Sequence, residues 1–254
     1  MGDGDRQHGG AVMPASLAAA WGLADRPAKG PRPGLSLTAI VDAAISVAAS
    51  DGLAAVSMGR VAKELGAAPM SLYRHVDSKA ALLDLMVDRA YGEPPAPSTP
   101  EEGWRAGLDR WARTAMGVLA ANPWVVQVPI TGPPVTPNQV AWMESALASM
   151  AGARLAEGEK VSVLLLLSGF VRNEIALALS IGAPPEGAPG YGVTLAALTD
   201  RDRFPALHAV IDAGVFDDGG DPEAQGPGDP DVDFGFGLDR ILDGIAALEQ
   251  RRTP

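Results

Sequence analysis

The residues best suited to a chemical task lie in one short stretch, Ala67–Val76, where polar and basic side chains surround two apolar ones. Ser71, Arg74 and His75 are spaced i, i+3, i+4, so on a helix they form a single stripe. A hydroxyl, a guanidinium and an imidazole in one stripe can hydrogen-bond phosphate oxygens and base edges in a major groove. The alternative is an ordinary solvated helix face. The stretch predicts a nucleic-acid-binding helix.

A scaffold of short helices is predicted to hold this stripe. Ser57 is expected to cap a first short helix, which stops at Gly66. In the helix that follows, Leu72 and Val76 lie at i, i+4 and are expected to be buried. Two short helices joined by a tight glycine turn, after a longer helix that Ser36 caps, are the helix-turn-helix arrangement.

Other residues near the stripe are also candidates for contacts with DNA. Lys79 lies in the first turn of the next helix, where it can reach a phosphate. Met70 contacts either a thymine methyl group or a neighbouring helix. Lys29 and Arg32 lie in a Gly/Pro-rich run, which is either an arm in the adjacent minor groove or a solvated linker.

The distribution of charge divides the chain of 254 residues into two parts. The formal net charge is −11, which by itself argues against a nucleic-acid partner. Residues 29–79, however, carry +2, whereas residues 80–254 carry −12. A slightly basic segment joined to an acidic body indicates two functions in one chain.

Composition excludes several other classes of protein. The absence of cysteine excludes disulfide scaffolds, Cys-ligated zinc, iron–sulfur clusters and thiol nucleophiles. The three histidines are far apart, and the common catalytic motifs are missing, so no enzyme, metal or cofactor is expected. An all-α enzyme remains the less favoured alternative. No run reaches the roughly 20 apolar residues of a membrane span, so a cytoplasmic protein without a membrane partner is expected.

The chain is predicted to be all-α, with no convincing strand. We expect a flexible N-terminal extension over residues 1–34, a helix-turn-helix domain over 35–92 and a larger helical domain over 100–254. The longest predicted helix, Glu157–Ile181, is apolar nearly all round, so it is either buried or shared with a partner.

Large apolar side chains in the C-terminal part can line a ligand pocket or simply fill the core. Asn173 and Glu174 interrupt the long apolar helix, and a desolvated polar group there needs a partner, which is either a ligand or another helix. The candidate ligand-binding residues are Trp104, Trp111, Trp124, Trp142, Met143, Phe170, Asn173 and Glu174.

Residues Val56–Met86, VSMGRVAKELGAAPMSLYRHVDSKAALLDLM, resemble the DNA-binding domain of the tetracycline-repressor (TetR) family. The most specific part is the run from Ser71 to Val76 followed by Ser78 and Lys79. The C-terminal run FGFGLDRILDGIAAL resembles the family's regulatory domain less specifically. The resemblance implies a homodimer that binds a palindromic operator in double-stranded DNA, represses transcription and carries a ligand pocket in its C-terminal helices.

The resemblance places family DNA contacts on Ser71, Tyr73, His75 and Lys79. Gly59 and Pro69 stand where the tetracycline repressor itself carries Arg and Gln that read bases, so a different operator is expected. The full set of candidate DNA contacts is Lys29, Arg32, Ser57, Gly59, Arg60, Pro69, Met70, Ser71, Tyr73, Arg74, His75 and Lys79.

The long helix and the last helix are expected to form a four-helix dimer interface. The candidate interface residues are Leu164, Leu167, Leu238, Ile241, Leu242 and Ile245. The predicted function is that of a ligand-responsive repressor, which a small hydrophobic effector releases from its operator. The alternative is a helix-turn-helix regulator whose C-terminal domain only dimerises and senses no ligand.

Overall fold

The structure is a computed structural model that describes residues 13–23, 35–181, 189–216 and 230–251. Every regular element in these ranges is helical, which confirms the all-α prediction. The helices are α1 Ala15–Ala20, α2 Leu37–Asp51, α3 Met58–Glu64, α4 Pro69–Leu72, α5 Lys79–Tyr91, α6 Gly103–Ala121, α7 Pro137–Ser149, α8 Glu157–Ile181, α9 Tyr191–Leu198, α10 Pro205–Asp212 and α11 Pro230–Gln250. Short 3₁₀ turns lie at Leu53–Ala55 and Pro123–Gln127.

The chain divides into two compact units, Met1–Ala151 and Gly152–Pro254. In the first unit α6 and α7 pack on α5 as well as on each other, so packing continues past the Pro-rich run after α5. The second unit contains the α8–α11 pair and the α9–α10 pair. The sequence-based limits of 35–92 and 100–254 for two domains stay a prediction.

Serine caps fix where the helices α2, α3 and α5 begin. The hydroxyl oxygens of Ser36, Ser57 and Ser78 accept hydrogen bonds from backbone N–H groups three residues later, at 3.1, 3.2 and 3.1 Å. Each cap satisfies one of the N–H groups that a helix start leaves without an intrahelical partner. Gly66 follows α3 with φ of +61°, a backbone conformation that favours glycine. These positions confirm the predicted helix starts and the turn.

An apolar core holds α2 to α5 together. Ile40, Val61, Leu72, Leu82 and Met86 are fully buried, so each of the four helices contributes at least one side chain to this core. Burial at this level stabilises the fold by roughly 1.5–3 kcal/mol for each large side chain. The segment Ala67–Val76, which we call the recognition segment after its predicted role, is therefore held in place by its neighbours.

The predicted helix over Ala67–Val76 is wrong in its length. The α4 helix begins at Pro69, which lacks an N–H group, and ends after one turn at Leu72. The N–H groups of His75 and Val76 then both donate to the carbonyl of Leu72, at 2.9 Å each. This tight turn directs the Val76 side chain into the core, where it is fully buried.

Two further elements differ from the sequence-based expectation. The α9 helix was not expected among the Pro and Gly residues of 182–233, and the 3₁₀ turn Pro123–Gln127 was not expected after α6. Within the N-terminal extension the sequence also predicts one short helical turn around Ser16–Trp21, and α1 lies there.

The α8 helix has the length and apolar composition to cross a membrane, although core helices of soluble proteins share these properties. Among the described helices it alone meets that test. Its polar residues include Lys160, which is buried and forms an ion pair with Glu157 at 2.8 Å.

Candidate nucleic-acid interface

The α4 helix separates a buried face from an exposed one within a single turn. Leu72 has no exposed surface, whereas Met70 is 74% exposed and Tyr73 is 46% exposed. Pro69 is also exposed, and Ser71 is half-buried. The predicted recognition residues thus lie next to Leu72, whose buried side chain holds the helix against the core.

The end of the recognition segment presents a basic side chain. Arg74 is exposed and His75 is half-buried, in the turn that follows α4. Lys79 is exposed as the first residue of α5, just after the cap Ser78. Neither Arg74 nor Lys79 forms an ion pair with any residue in the described ranges, so both cations are available for phosphate oxygens.

Arg60 on α3 is held in a network of carboxylates. Its guanidinium lies 2.6 Å from a Glu64 oxygen and 3.1 Å from an Asp51 oxygen. Hydrogen bonds to Glu64 and Asp51 raise the pKa of Arg60 above its ordinary value. A phosphate contact from Arg60 would have to replace at least one of these partners.

The other two α3 candidates have different surroundings. The Ser57 hydroxyl accepts a hydrogen bond from Arg60 N–H as the helix cap, so its side chain already has a structural role. Gly59 is exposed, and a Cβ atom there would meet nothing within 4 Å. Its backbone is therefore open to the approach of a large partner.

The α1 helix is bonded to the start of α5, which the sequence did not predict. The Asp77 carboxylate accepts hydrogen bonds from the Ser16 backbone N–H at 3.1 Å and from the Ser16 hydroxyl at 2.6 Å. These bonds lower the pKa of Asp77 below its ordinary value. At the other end of α1, Trp21 Nε1–H donates to the Val135 carbonyl at 2.8 Å. Lys29 and Arg32, the candidate arm residues, lie outside the described residues.

The tryptophans proposed for ligand binding lie in the first unit and have structural partners. Trp111 and Trp142 are buried edge-to-face, with ring centroids 5.6 Å apart. Trp111 Nε1–H donates to the Trp142 carbonyl, and Trp142 Nε1–H donates to the Gly92 carbonyl, at 3.0 Å each. Trp124 is buried, while Trp104 and Met143 are half-buried.

The other three ligand candidates lie on α8 in the second unit. Phe170 stacks on Phe234 with centroids 5.3 Å apart, and its ring edge lies against Gly237 of α11. Glu174 is half-buried and Asn173 is exposed. Phe170 therefore joins α8 to α11, a contact compatible with a core role.

Most of the predicted interface residues are already covered within one chain. Five of the six are buried in the second unit, and Ile241 is half-buried. The exposed large apolar residues of the same helix pair are instead Val161, Leu165, Leu166, Leu177, Leu179, Ile181 and Phe236. A groove of about 420 Å³ between the two helices is lined by residues that include Leu166, Ile241, Ile245 and Leu248. Sequence periodicity alone does not separate a buried stripe from an adjacent apolar stripe.

Within the described ranges, no group of three or more His, Asp or Glu residues is arranged to hold a metal ion.

Comparison with known proteins supplies the family. Residues 40–86 match the family model "Bacterial regulatory proteins, tetR family", and residues 96–248 match "Tetracyclin repressor-like, C-terminal domain". The HTH-type transcriptional repressor DrrR1 of Streptomyces coeruleorubidus is 37% identical over 235 residues, which are 91% of this chain and 85% of that protein. The tetracycline repressor protein class A from transposon 1721 of Escherichia coli is 28% identical over 82% of this chain and 88% of its own.

A solved structure agrees with this assignment. The TetR family protein ActR of Streptomyces coelicolor, in complex with actinorhodin, has a TM-score of 0.70 and 26% identity, covering 84% of this chain and 98% of its own. The short α3–α4 pair with its exposed polar face is the arrangement that both family models imply. The chain belongs to the TetR family and is a helix-turn-helix transcriptional regulator.

Proposed function

We propose that this protein is a cytoplasmic homodimeric repressor, which leaves a palindromic operator when a small hydrophobic effector binds. The observation that carries the proposal is the one-turn α4 helix, with Leu72 buried beneath and Tyr73 and Arg74 exposed beside it. Its similarity to a repressor, DrrR1, over most of both chains favours repression.

On DNA, α4 and the turn after it enter the major groove. Ser71, Tyr73 and His75 contact base edges or sugar-phosphate groups, while Arg74 and Lys79 bind phosphates. Gly59 has open space above its Cα, so the DNA backbone can approach α3 there. This arrangement gives both sequence-specific and salt-dependent binding.

Dimerisation explains the exposed apolar surface of the second unit. Leu165 is 68% exposed and Phe236 is 64% exposed, and both lie on helices that pack together in one chain. A second copy that covers the same residues by two-fold symmetry would bury them. Two recognition helices must then lie about 34–36 Å apart to enter successive major grooves.

We place the effector site in the first unit, which holds five of the eight candidate ligand-binding residues, Trp104, Trp111, Trp124, Trp142 and Met143. The ActR relative was solved with actinorhodin and with (S)-DNPA, which supports a small-molecule effector for this chain as well. Such an effector acts by favouring a state in which the recognition helices no longer fit the operator. A coupling of about 1–3 kcal/mol would lower operator affinity by about 5–150-fold.

Titration with labelled DNA from upstream of the protein's own gene, together with a random duplex library, tests the repressor proposal. We expect one dimer per palindromic site, loss of affinity with rising salt and release by some aromatic compounds. Selection of no sequence from the library would refute operator binding. Specific binding that no compound weakens would favour a regulator that dimerises without sensing a ligand.

The dimer is tested by placing a charge on its proposed surface. Leu165→Glu and Leu166→Glu change exposed residues of α8, so the chain is expected to fold but to remain monomeric in light scattering. Ile130→Glu in the first unit is the matched control, because Ile130 is also an exposed aliphatic residue. A dimer that persists in both α8 variants would place the interface elsewhere.

A further inference from the structure

The end of α5 caps the beginning of α7 from 50 residues away. Asp88 is buried, and its Oδ1 accepts hydrogen bonds from the backbone N–H groups of Asn138 at 2.8 Å and Gln139 at 3.1 Å. In return, Asn138 Nδ2 donates to the Asp88 carbonyl at 3.0 Å and to its Oδ2 at 3.1 Å. Thr136 is the N-cap residue of α7, but its side chain forms no capping hydrogen bond. Asp88 therefore supplies the cap and the favourable negative charge.

Further bonds continue this attachment along α7. Trp142 Nε1–H donates to the Gly92 carbonyl at 3.0 Å, and the Ser145 hydroxyl donates to the Pro95 carbonyl at 2.6 Å. Ser98 N–H donates to Ser149 Oγ at 3.2 Å, and the Ser98 hydroxyl donates to the Ser149 carbonyl at 3.3 Å. We call these bonds, which join Asn138, Trp142, Ser145 and Ser149 to residues 88–98, the α7 ladder.

The α7 residues of the ladder all lie on one face of the helix. Positions 138, 142, 145 and 149 are separated by four, three and four residues, so they form one stripe on α7. Their partners all belong to the last turn of α5 and the non-helical segment after it. The α6 helix packs tightly against the Ser98–Ser149 pair at the end of the ladder. A Cβ atom added to Gly107 of α6 would lie 2.6 Å from Ser149 Oγ and 2.7 Å from Ser98 Oγ. The segment has little freedom to move without α7.

The same α5 helix connects the ladder to the DNA-binding surface. It begins with the cap Ser78 beside Lys79, and Asp88 lies ten residues further on, about 15 Å along the helix axis. Leu82 and Met86 are fully buried between these points. A shift of α7 therefore reaches the start of α5 through a continuous packed helix.

We propose that Asp88 and the α7 ladder couple effector binding to operator binding in this protein. The inference rests on the proposed function and specifies its regulation. The α7 helix carries Trp142 and Met143, two of the candidate ligand-binding residues, and its first turn is held by Asp88. Asp88 is a positioning residue, because it acts through other residues. It fixes α5 to α7, so that the effector site and the DNA-binding surface share one equilibrium.

Reciprocity of coupling allows a test that needs no effector. If α7 and the recognition segment share an equilibrium, and if the capped arrangement of α7 is the one that fits the operator, then bound DNA stabilises the first turn of α7. We expect a duplex selected by the protein from a random library to slow amide hydrogen exchange in residues 137–143 by about fivefold or more, the lower end of usual couplings. Exchange in α11 of the same sample serves as the internal reference.

Asp88→Asn removes the charge and one acceptor of the cap while keeping its size. We expect this variant to bind the selected duplex within about threefold of the wild-type affinity, because the DNA contacts are intact, but to lose the slowing of exchange. Asp84→Asn is the matched control, since Asp84 lies one turn earlier on α5 and is exposed. It should keep both properties.

The outcomes separate the inference from the proposed function. If the wild-type protein binds the duplex but exchange in residues 137–143 is not slowed, the inference is overturned and the repressor proposal is unaffected. The same holds if Asp88→Asn shows the same slowing of exchange as the wild type. Wild-type protein that selects no duplex would overturn both. Should Asp88→Asn fail to fold, Ser145→Ala removes another ladder bond, with Ser168→Ala, which loses only a bond to Leu164 within α8, as its control.

Discussion

Replacing Leu72 by alanine tests whether the recognition helix is held by burial alone. A one-turn helix is not stable in isolation, because a few hydrogen bonds do not offset the cost of nucleation. Leu72 is fully buried, and truncation of a fully buried leucine typically costs about 2–5 kcal/mol. For a protein of this size we expect the midpoint of thermal unfolding to fall by about 4–20 °C.

Met70→Ala is the matched control for Leu72→Ala. Met70 lies two residues away on the same helix but is 74% exposed, so its truncation should change the free energy of unfolding by no more than about 0.5 kcal/mol. Chemical denaturation followed by circular dichroism measures stability, and titration with operator DNA measures binding. We expect Leu72→Ala to lose both stability and binding, and Met70→Ala to lose only operator affinity.

The reasoning would be refuted by a Leu72→Ala variant whose unfolding free energy lies within about 0.5 kcal/mol of the wild type, the range of an ordinary surface substitution. The helix would then be positioned by something other than its buried side chain. A large loss of stability in Met70→Ala would equally show that the exposed face of α4 has a packing role.

Three further predictions concern the DNA contact, the packing of α6 and the attachment of α1. Lys79→Ala should lower the salt dependence of operator binding by about one unit of slope, whereas an unchanged slope would exclude a phosphate contact. Gly107→Ala should destabilise the protein in thermal unfolding, because the new Cβ would lie 2.6 Å from a serine hydroxyl, while Gly117→Ala, with nothing within 4 Å, should not. Because hydrogen bonds from Ser16 lower the pKa of Asp77, the attachment of α1 is expected to persist above the unfolded pKa and to be lost as pH falls through the lower folded value. Ser16→Ala should move the release of α1 to higher pH, and amide hydrogen exchange in α1 measures this release. An unchanged pH of release would place the attachment of α1 elsewhere.

Local signals in the sequence were sufficient for most helix limits and for the family. Ser36 and Ser57 cap helices where predicted, because a hydroxyl that bonds an N–H three residues later is a local interaction. The long helix begins and ends at the predicted residues, Glu157 and Ile181. The motif around Ser71 to Lys79 identified the family because its residue types must fit a groove and a core at once.

Features that depend on residues far apart in the chain became visible only in the packed fold. No sequence pattern indicates that Asp88 caps α7 or that Asp77 binds Ser16, because no periodicity or spacing relates residues 50 or more positions apart. Nor did it separate buried Leu242 from exposed Leu165, since both have the same hydrophobicity and only the packing of α8 on α11 distinguishes them. Local sequence patterns were enough to identify an all-helical TetR-type regulator, since such patterns encode helices and the recognition motif. Which side chains are free for DNA or a partner, and which hold α5 to α7, was decided by the tertiary fold, because burial and long-range hydrogen bonds exist only once the helices have packed.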